Sequence, residues 1–237
     1  MHNELLLERI KNVYRRIASA AIRSGRNPDD VKLVAVTKTV PLNTIKEAID
    51  LGLRIFGENR VQEAKEKIEK IKKECEDCLV KWHMIGHLQK NKAKIAVELF
   101  DMIHSVDSLE LAELINKYSE RNNKIQDILI QIKLSHEESK YGIDKNELLG
   151  LLKNISFLKN IKVLGLMTIP PYFDNPEMVR PFFRELRRLK EIAESHNYRL
   201  PELSMGMTND FEVAILEGST IVRIGTAIFG KRIQSIP

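Results

Sequence analysis

Eight short strand-like segments, most of them apolar, alternate with helix-like segments along the chain, and this alternation restricts the fold more than any other feature. The predicted strands are 32–37, 53–56, 80–85, 102–105, 128–132, 163–167, 202–204 and 221–224. A helix is predicted after each strand, at 43–51, 59–73, 91–99, 108–121, 144–152, 177–195, 209–217 and 226–229. Strict alternation implies parallel strands joined by right-handed crossovers. Eight such units predict an α/β fold of the closed (β/α)8 type, a TIM barrel.

The segment before the first strand predicts an additional N-terminal helix. Between residues 3 and 24, apolar residues recur at three- and four-residue spacing, as in Leu6, Ile10 and Val13. An open doubly wound sheet is the competing arrangement, but no Gly-x-Gly-x-x-Gly follows the first strand to indicate dinucleotide binding. The length of 237 residues suits one barrel and no linker is visible, so we expect a single domain over 1–237.

Charge and composition argue against nucleic-acid and membrane partners. The net charge is +5, but lysines and glutamates are interspersed, as in 63–67, which is typical of a solvated helix face. The first 26 residues carry charges throughout, so we expect neither a signal peptide nor a membrane span. Cys75 and Cys78 make only half of a zinc site and are interpreted as incidental thiols of a cytoplasmic protein.

A lysine follows the first predicted strand, at the end of the barrel where such folds carry their chemistry. Side chains alternate along a strand, so Lys38 shares a face with Val34 and Val36 and is expected at a cavity mouth. Desolvation lowers the pKa of a lysine and increases the fraction of free amine that can attack a carbonyl. A surface lysine just beyond a strand is the alternative interpretation.

Glycines and hydroxyl side chains follow the last two predicted strands, where barrels commonly hold phosphate groups. Gly206 and Gly225 allow backbone N–H groups to approach an anion closely. Ser204, Thr208 and Thr226 offer hydroxyl donors. Ordinary turn glycines and helix caps are the alternative interpretation.

An arginine in the middle of the last predicted strand is expected to face the barrel interior. A guanidinium in that position must be paired or hydrogen-bonded. A structural salt bridge from Arg223 to Glu58 or another strand-end carboxylate is one interpretation, and a bound heteroaromatic ligand that accepts its hydrogen bond is the other. Together with a Schiff-base lysine and a phosphate cup, the second interpretation describes a site for pyridoxal 5′-phosphate (PLP).

Five motifs in order give the whole chain a family resemblance. They are VTKTVP at 36–41, FGENRVQE at 56–63, WHMIGHLQKNK at 82–92, SMGMTNDF at 204–211 and RIGTAIFG at 223–230. These segments resemble the signatures of the PLP homeostasis proteins, which are single-domain relatives of the alanine racemase barrel. The chain departs from the family pattern at Thr208, where serine is more frequent, and at Pro41, which lies later after the lysine. Neither difference removes the amine or a hydroxyl donor.

The resemblance implies a cofactor-binding role for a defined set of residues. It implies that Lys38 carries PLP as an internal aldimine, that Arg223 faces the pyridine nitrogen and that Asn59 lies near the ring. The residues expected around the phosphate are Ser204, Gly206, Thr208, Gly225 and Thr226, with Met207 in the same loop. We expect no catalytic residue in the enzymatic sense. We also expect no metal site, because His83 and His87 straddle a strand end rather than sharing one helix face. No pattern assigns a role to either histidine or to Tyr141.

The function implied by the resemblance is intracellular vitamin B6 and amino-acid homeostasis without robust turnover. The expected partners are PLP itself, amino acids and PLP-accepting apoenzymes, and the expected state is a monomer. A PLP-dependent racemase or decarboxylase is the alternative, but the chain ends soon after the eighth unit, and Arg223 cannot easily give a proton to the pyridine nitrogen. A third possibility is a phosphate-sugar barrel enzyme in which Lys38 binds a substrate aldehyde directly.

Overall fold

Eight parallel strands close into a barrel, which confirms the predicted fold. The computed structural model describes residues 2–75, 79–135 and 141–230. The strands are β1 Lys32–Val36, β2 Ile55–Glu58, β3 Lys81–Met84, β4 Met102–Val106, β5 Gln126–Lys133, β6 Ile143–Asp144, β7 Ile161–Met167, β8 Glu202–Ser204 and β9 Ile221–Ile224. The ring runs β1-β2-β3-β4-β5-β7-β8-β9, and β9 pairs with β1 to close it. The two-residue strand β6 pairs with β5 outside the ring.

Helices follow the barrel strands and cover the sheet. They are α1 His2–Arg23, α2 Leu42–Asp50, α3 Val61–Glu74, α4 Ala93–Leu99, α5 Leu109–Arg121, α6 Leu148–Ile155, α7 Arg180–Ser195, α8 Phe211–Leu216 and α9 Thr226–Phe229. The additional N-terminal helix α1 packs against α8 and α9. Three predicted helices begin with a 3₁₀ turn, at 90–92, 145–147 and 176–179, so their α-helical parts start later than predicted. Tight turns of this kind are frequent at helix N-termini.

Alternation along the strands separates two apolar cores. Leu33 and Ala35 face outward and pack in the large core between the sheet and the helices. The inner core of the barrel is small and consists of Val34, Ile85, Met102, Leu129, Met167 and Ile221. The side chains inside a barrel form layers contributed by different strands. Inward positions above and below this small core are therefore available for polar residues.

Two findings outside the barrel concern the helices and one of the cysteines. Within the described parts of the chain, no helix combines the length and apolarity needed to cross a membrane. Cys75 follows the last turn of α3 and is disulfide-bonded, so its interpretation as an incidental thiol is wrong. Cys78 lies outside the described residues.

Candidate functional site

Four neighbouring strands bring the predicted site residues to one end of the barrel. The strands β2, β1, β9 and β8 lie side by side in this order, and all are parallel. The carboxyl ends of parallel strands meet at the same edge, so the segments after them are neighbours in space. The expected residues of these segments are Lys38, Asn59, Ser204, Gly206, Met207, Thr208, Arg223, Gly225 and Thr226. Topology thus gathers a set of residues that spans most of the chain.

Lys38 occupies a tight turn directly after β1. The lysine is half-buried, and the next residue, Thr39, has a φ of 62°. A β-branched residue rarely adopts this left-handed conformation, so the turn needs support from its surroundings. That support comes from α3, because the Thr39 N–H donates to Glu63 Oε1 at 2.6 Å.

A partly buried ionic network continues this support below the turn. Lys67 Nζ donates to the Thr37 carbonyl oxygen at 2.6 Å, to Glu58 Oε1 at 2.8 Å and to Glu63 Oε1 at 2.7 Å. The Thr37 hydroxyl donates to the same Glu58 oxygen at 2.7 Å. We call Glu58, Glu63 and Lys67 the turn network, since its bonds hold the residues on both sides of Lys38. The nucleophile candidate therefore sits on a fixed backbone.

Glu58 faces the helix layer rather than the barrel interior. Its side chain is completely buried, and burial raises the pKa of this carboxyl although bonds from Lys67 and Thr37 oppose the shift. For Glu63, burial also raises the pKa, but the bonds from Lys67 and from the Thr39 N–H outweigh it and lower the pKa overall. Because Glu58 is bound to Lys67, the salt bridge considered between Glu58 and Arg223 is not formed.

Arg223 faces the interior of the barrel, as its strand parity predicts. Only 3% of the residue is exposed, and its position on β9 is opposite Val34 of the inner core. Its Nη1 donates to Ser204 Oγ at 2.6 Å, and its Nη2 donates to the Thr168 carbonyl oxygen at 2.9 Å. Burial lowers the pKa of the guanidinium to about 10, and the charge of Asp210 opposes this shift. The side chain is therefore a buried cation at neutral pH.

The partners of this cation among the described residues are neutral. Its two hydrogen-bond acceptors are a hydroxyl and a carbonyl oxygen, and within the described ranges no carboxylate forms a salt bridge with it. A guanidinium carries five N–H donors, and these two bonds leave further donors for another acceptor. A buried charge without a salt-bridge partner is costly, and the charge of Asp210 offsets only part of that cost. The arrangement therefore favours an electron-rich or anionic ligand at this end of the barrel.

Two histidines extend the contacts of Arg223 across the barrel. Ser204 Oγ lies 2.9 Å from His104 Nδ1, and His104 Nε2 lies 3.0 Å from His83 Nδ1. All four side chains are buried, and we call them the polar chain: His83 of β3, His104 of β4, Ser204 of β8 and Arg223 of β9. Burial lowers the pKa of His83 to about 3. Burial, followed by the charges of His83 and Arg223, lowers the pKa of His104 well below its usual range.

The loop after β8 uses some of its donors within the fold. The Met207 N–H donates to Asp210 Oδ1 at 2.6 Å, so this carboxylate turns back onto its own loop. Glu212 pairs with Arg16 of α1 at 2.7 Å and points away from the strand ends. Gly206 has a φ of 96°, and a Cβ there would lie 2.6 Å from the Ala214 Cβ. This glycine is therefore required for backbone conformation and for packing against α8.

The segment after β9 lies beside the end of β1. A Cβ on Gly225 would lie 3.3 Å from the carbonyl oxygen of Val36, two residues before Lys38. Thr226 begins α9 and is exposed, while Thr208 is half-buried in the loop after β8. The first N–H groups of a helix have no partner within it. These segments place hydroxyl and N–H donors next to the lysine turn.

Asn59 and Gly86 mark the approach of β3 to the same region. Asn59 is half-buried, and its Oδ1 is buried without a hydrogen-bond partner among the described residues. A Cβ on Gly86 would lie 2.4 Å from the Asn59 carbonyl oxygen, so only glycine permits this backbone contact. A buried oxygen without a partner is unusual in a folded protein. Its presence is consistent with a ligand that donates to Asn59 or is placed beside it.

An aromatic stack lies at the ends of β3 and β4. The rings of His87 and Tyr141 are parallel within 10°, and their centroids are 3.6 Å apart. His87 Nδ1 lies 3.4 Å from Asp107 Oδ2, and burial raises the pKa of this aspartate. His87 and His83 do not meet in a common site, because His83 bonds to His104 inside the barrel. Within the described ranges no cluster of side chains is arranged to hold a metal ion.

Comparison with known proteins gives a consistent result over nearly the whole chain. The family model described as "Alanine racemase, N-terminal domain" matches residues 7–233. A pyridoxal phosphate homeostasis protein of Aquifex aeolicus is 49% identical over 226 residues, which cover 95% of this chain and 97% of that protein. Its counterpart in Escherichia coli K12 is 42% identical and covers 92% of both chains.

The chain belongs to the pyridoxal phosphate homeostasis protein family. A solved structure agrees with this assignment: PipY of Synechococcus elongatus PCC7942, with PLP bound, is 38% identical and superposes with a TM-score of 0.80. The similarity covers 92% of this chain and 100% of that chain. The family resemblance stated from the five sequence motifs is therefore confirmed.

The turn network and His104 are not among the residues that the sequence selects. Glu58 and Lys67 look like one strand-end residue and one of many helix lysines. His104 is a single histidine within an apolar strand, a pattern more typical of a satisfied core residue. One signal was present: His83, His104, Ser204 and Arg223 all occupy strand positions that alternation directs inward.

Proposed function

We propose that this protein binds PLP and holds it covalently on Lys38, as a carrier in vitamin B6 and amino-acid homeostasis. In this reaction the lysine ε-nitrogen forms a C=N bond with the aldehyde carbon, and water is released. The observation that carries the proposal is Arg223, a buried cation with neutral partners at the same end of the barrel as the lysine turn. PLP has a pyridine nitrogen that accepts a hydrogen bond and a phosphate that supplies negative charge.

The other selected residues have roles consistent with this ligand. We assign the phosphate to the segments after β8 and β9, with Gly206, Thr208, Gly225 and Thr226 as donors. We assign Asn59 to the neighbourhood of the ring, since its buried Oδ1 has no partner among the described residues. The side chain of Ser204 and the N–H of Met207 are already committed to Arg223 and Asp210, so we assign them supporting roles rather than phosphate contacts.

The same residues favour storage and transfer over rapid catalysis. Arg223 remains protonated at neutral pH and donates hydrogen bonds, so it leaves the pyridine nitrogen unprotonated and the ring a weak electron sink. We further propose that the protein works as a cytoplasmic monomer that exchanges PLP with apoenzymes. Relatives named as homeostasis proteins support the homeostasis role over an enzymatic one. A racemase-like enzyme is the alternative, and it requires rapid removal of an amino acid's α-proton.

Reductive labelling tests the covalent assignment. PLP added to the purified protein should produce a visible absorption band, which borohydride fixes on the peptide containing Lys38. Lys38→Ala should lose the label, and Lys92→Ala, a half-buried lysine after β3, should retain it. A label on any other lysine contradicts the assignment. Exchange of amino-acid α-protons in deuterated water at ~1–10³ per second would instead indicate an enzyme.

A further inference from the structure

The hydrogen-bond requirements of the polar chain determine its direction. Arg223 can only donate, so Ser204 Oγ accepts from Nη1. The serine hydroxyl then has one proton to place, and His104 Nδ1 at 2.9 Å is its other partner among the described residues. If His104 Nδ1 carried a proton, the serine proton would be buried without an acceptor, which is costly. The serine therefore donates to His104 Nδ1.

Both imidazoles of the polar chain must adopt the same tautomer. Because His104 Nδ1 accepts, a neutral His104 carries its proton on Nε2 and donates to His83 Nδ1 at 3.0 Å. His83 then carries its own proton on Nε2. In every hydrogen bond of the polar chain the donor is the residue nearer to Arg223. Each acceptor lone pair therefore points back toward the cation. This alignment of dipoles stabilises a buried charge that lacks a carboxylate partner among the described residues.

We propose that His104 and His83 are positioning residues, which fix the Ser204 hydroxyl and through it the orientation of the Arg223 guanidinium toward the bound PLP ring. The proposal rests on the proposed PLP function for its ligand, but the order of protons in the polar chain does not. A protonated His104 would present a donor to Ser204 and break the sequence of donors and acceptors. The chain thus requires neutral imidazoles. Burial of His104, 0% exposed, and His83, 3% exposed, supports that state.

The direction of the chain can be measured without PLP. Two-dimensional ¹H–¹⁵N spectra of the imidazoles distinguish Nδ1–H, Nε2–H and doubly protonated rings. The sequence has 6 histidines, so the His83→Asn and His104→Asn variants assign the two signals. We expect both rings to be neutral Nε2–H tautomers at pH 7. An Nδ1–H tautomer or a charged ring at His104 would overturn the proposal, whether or not the protein binds PLP.

Substitutions test the consequence for PLP. His104→Leu and Ser204→Ala should each weaken PLP binding roughly 10-fold, the effect of about one hydrogen bond to a charged group, and should shift the visible band of the bound cofactor. The double variant should be no weaker than either single one, because both break the same connection. His104→Asn should largely restore affinity, since its amide oxygen replaces the Nδ1 acceptor.

A variant of the inner core distinguishes a positioning effect on Arg223 from a general loss of fold stability. Leu129→Ala removes a completely buried side chain of the barrel interior and should destabilise the fold while leaving the absorption band in place. If this variant alters the band as much as His104→Leu does, the effect of the histidine is structural and the proposal fails. Additive losses in the double variant would also refute it.

Discussion

Acidification should destabilise this protein through the two buried histidines of the polar chain. The pKa of His83 is lowered to about 3, and that of His104 also lies well below its usual range. In the unfolded chain both imidazoles titrate near ~6.5. Below that pH the unfolded state binds protons that the native state does not, so the free energy of unfolding falls as the pH falls.

The size of the effect at pH 5.0 follows from the unfolded pKa alone. A histidine that stays neutral in the native state at this pH contributes RT ln(1 + 10^1.5), or about 2 kcal/mol, of lost stability. The two histidines together should therefore cost about 4 kcal/mol between pH 7.5 and pH 5.0. Glu58 acts in the opposite direction, because its raised pKa lets the native state bind a proton first. The total pH dependence thus mixes contributions of both signs.

Variants isolate the histidine contribution. Denaturant unfolding of the apo-protein at both pH values, compared with His83→Asn and with His104→Asn, gives the difference directly. Each substitution removes one titrating imidazole and should reduce the pH-dependent loss by about 2 kcal/mol. Leu129→Ala serves as the control, since it lowers stability at both pH values without removing a titrating group. A pH-dependent loss in His83→Asn equal to that of the unmodified protein would refute the reasoning.

Two further predictions concern the lysine turn and the phosphate. Lys67→Met leaves Glu58 buried without its ammonium partner and should cost roughly 3–5 kcal/mol in denaturant unfolding, and it should slow growth of the imine band with PLP. Lys65→Met on the same helix, half-exposed at 51%, should stay within about 0.5 kcal/mol. Pyridoxal, which lacks the phosphate, should bind more weakly than PLP by ~1.5–3 kcal/mol of binding free energy for each charge-assisted hydrogen bond to the phosphate. Equilibrium titrations measure this difference, and an affinity equal to that of PLP would contradict the phosphate assignment.

The barrel could be predicted from the sequence because short strand-like segments, most of them apolar, alternate regularly with helix-like segments. All eight predicted strands overlap observed ones, and the N-terminal helix agrees within one residue at each end. The two-residue strand at Ile143–Asp144 was not predicted, since a segment so short carries no periodic signal. The 3₁₀ turns are predicted as helix for a similar reason: three or four residues do not distinguish a repeat of 3.0 from one of 3.6.

Part of the site was accessible from the sequence because some residues interrupt an apolar pattern where a strand ends. Lys38 is such a residue, and Arg223 interrupts the last strand. The turn network was not accessible, because nothing in the sequence distinguishes Lys67 from its neighbours Lys65 and Lys70. Its side chain is only 11% exposed, and this burial depends on how α3 lies over the end of β2. Helix position relative to a sheet is set by tertiary packing rather than by local pattern.

The polar chain could have been predicted in part from the inward and outward alternation of side chains along the strands. His104 and Ser204 are 100 positions apart, so no spacing rule relates them. Both nevertheless lie at inward positions of parallel strands, as do His83 and Arg223. A buried polar group must find a partner, and the inside of a closed barrel offers few residues. Four inward polar side chains in one barrel therefore predict a mutual network from the sequence alone. The order of residues within the network, with the arginine at one end and His83 at the other, cannot be predicted in this way. It depends on the relative heights of the strands in the closed sheet.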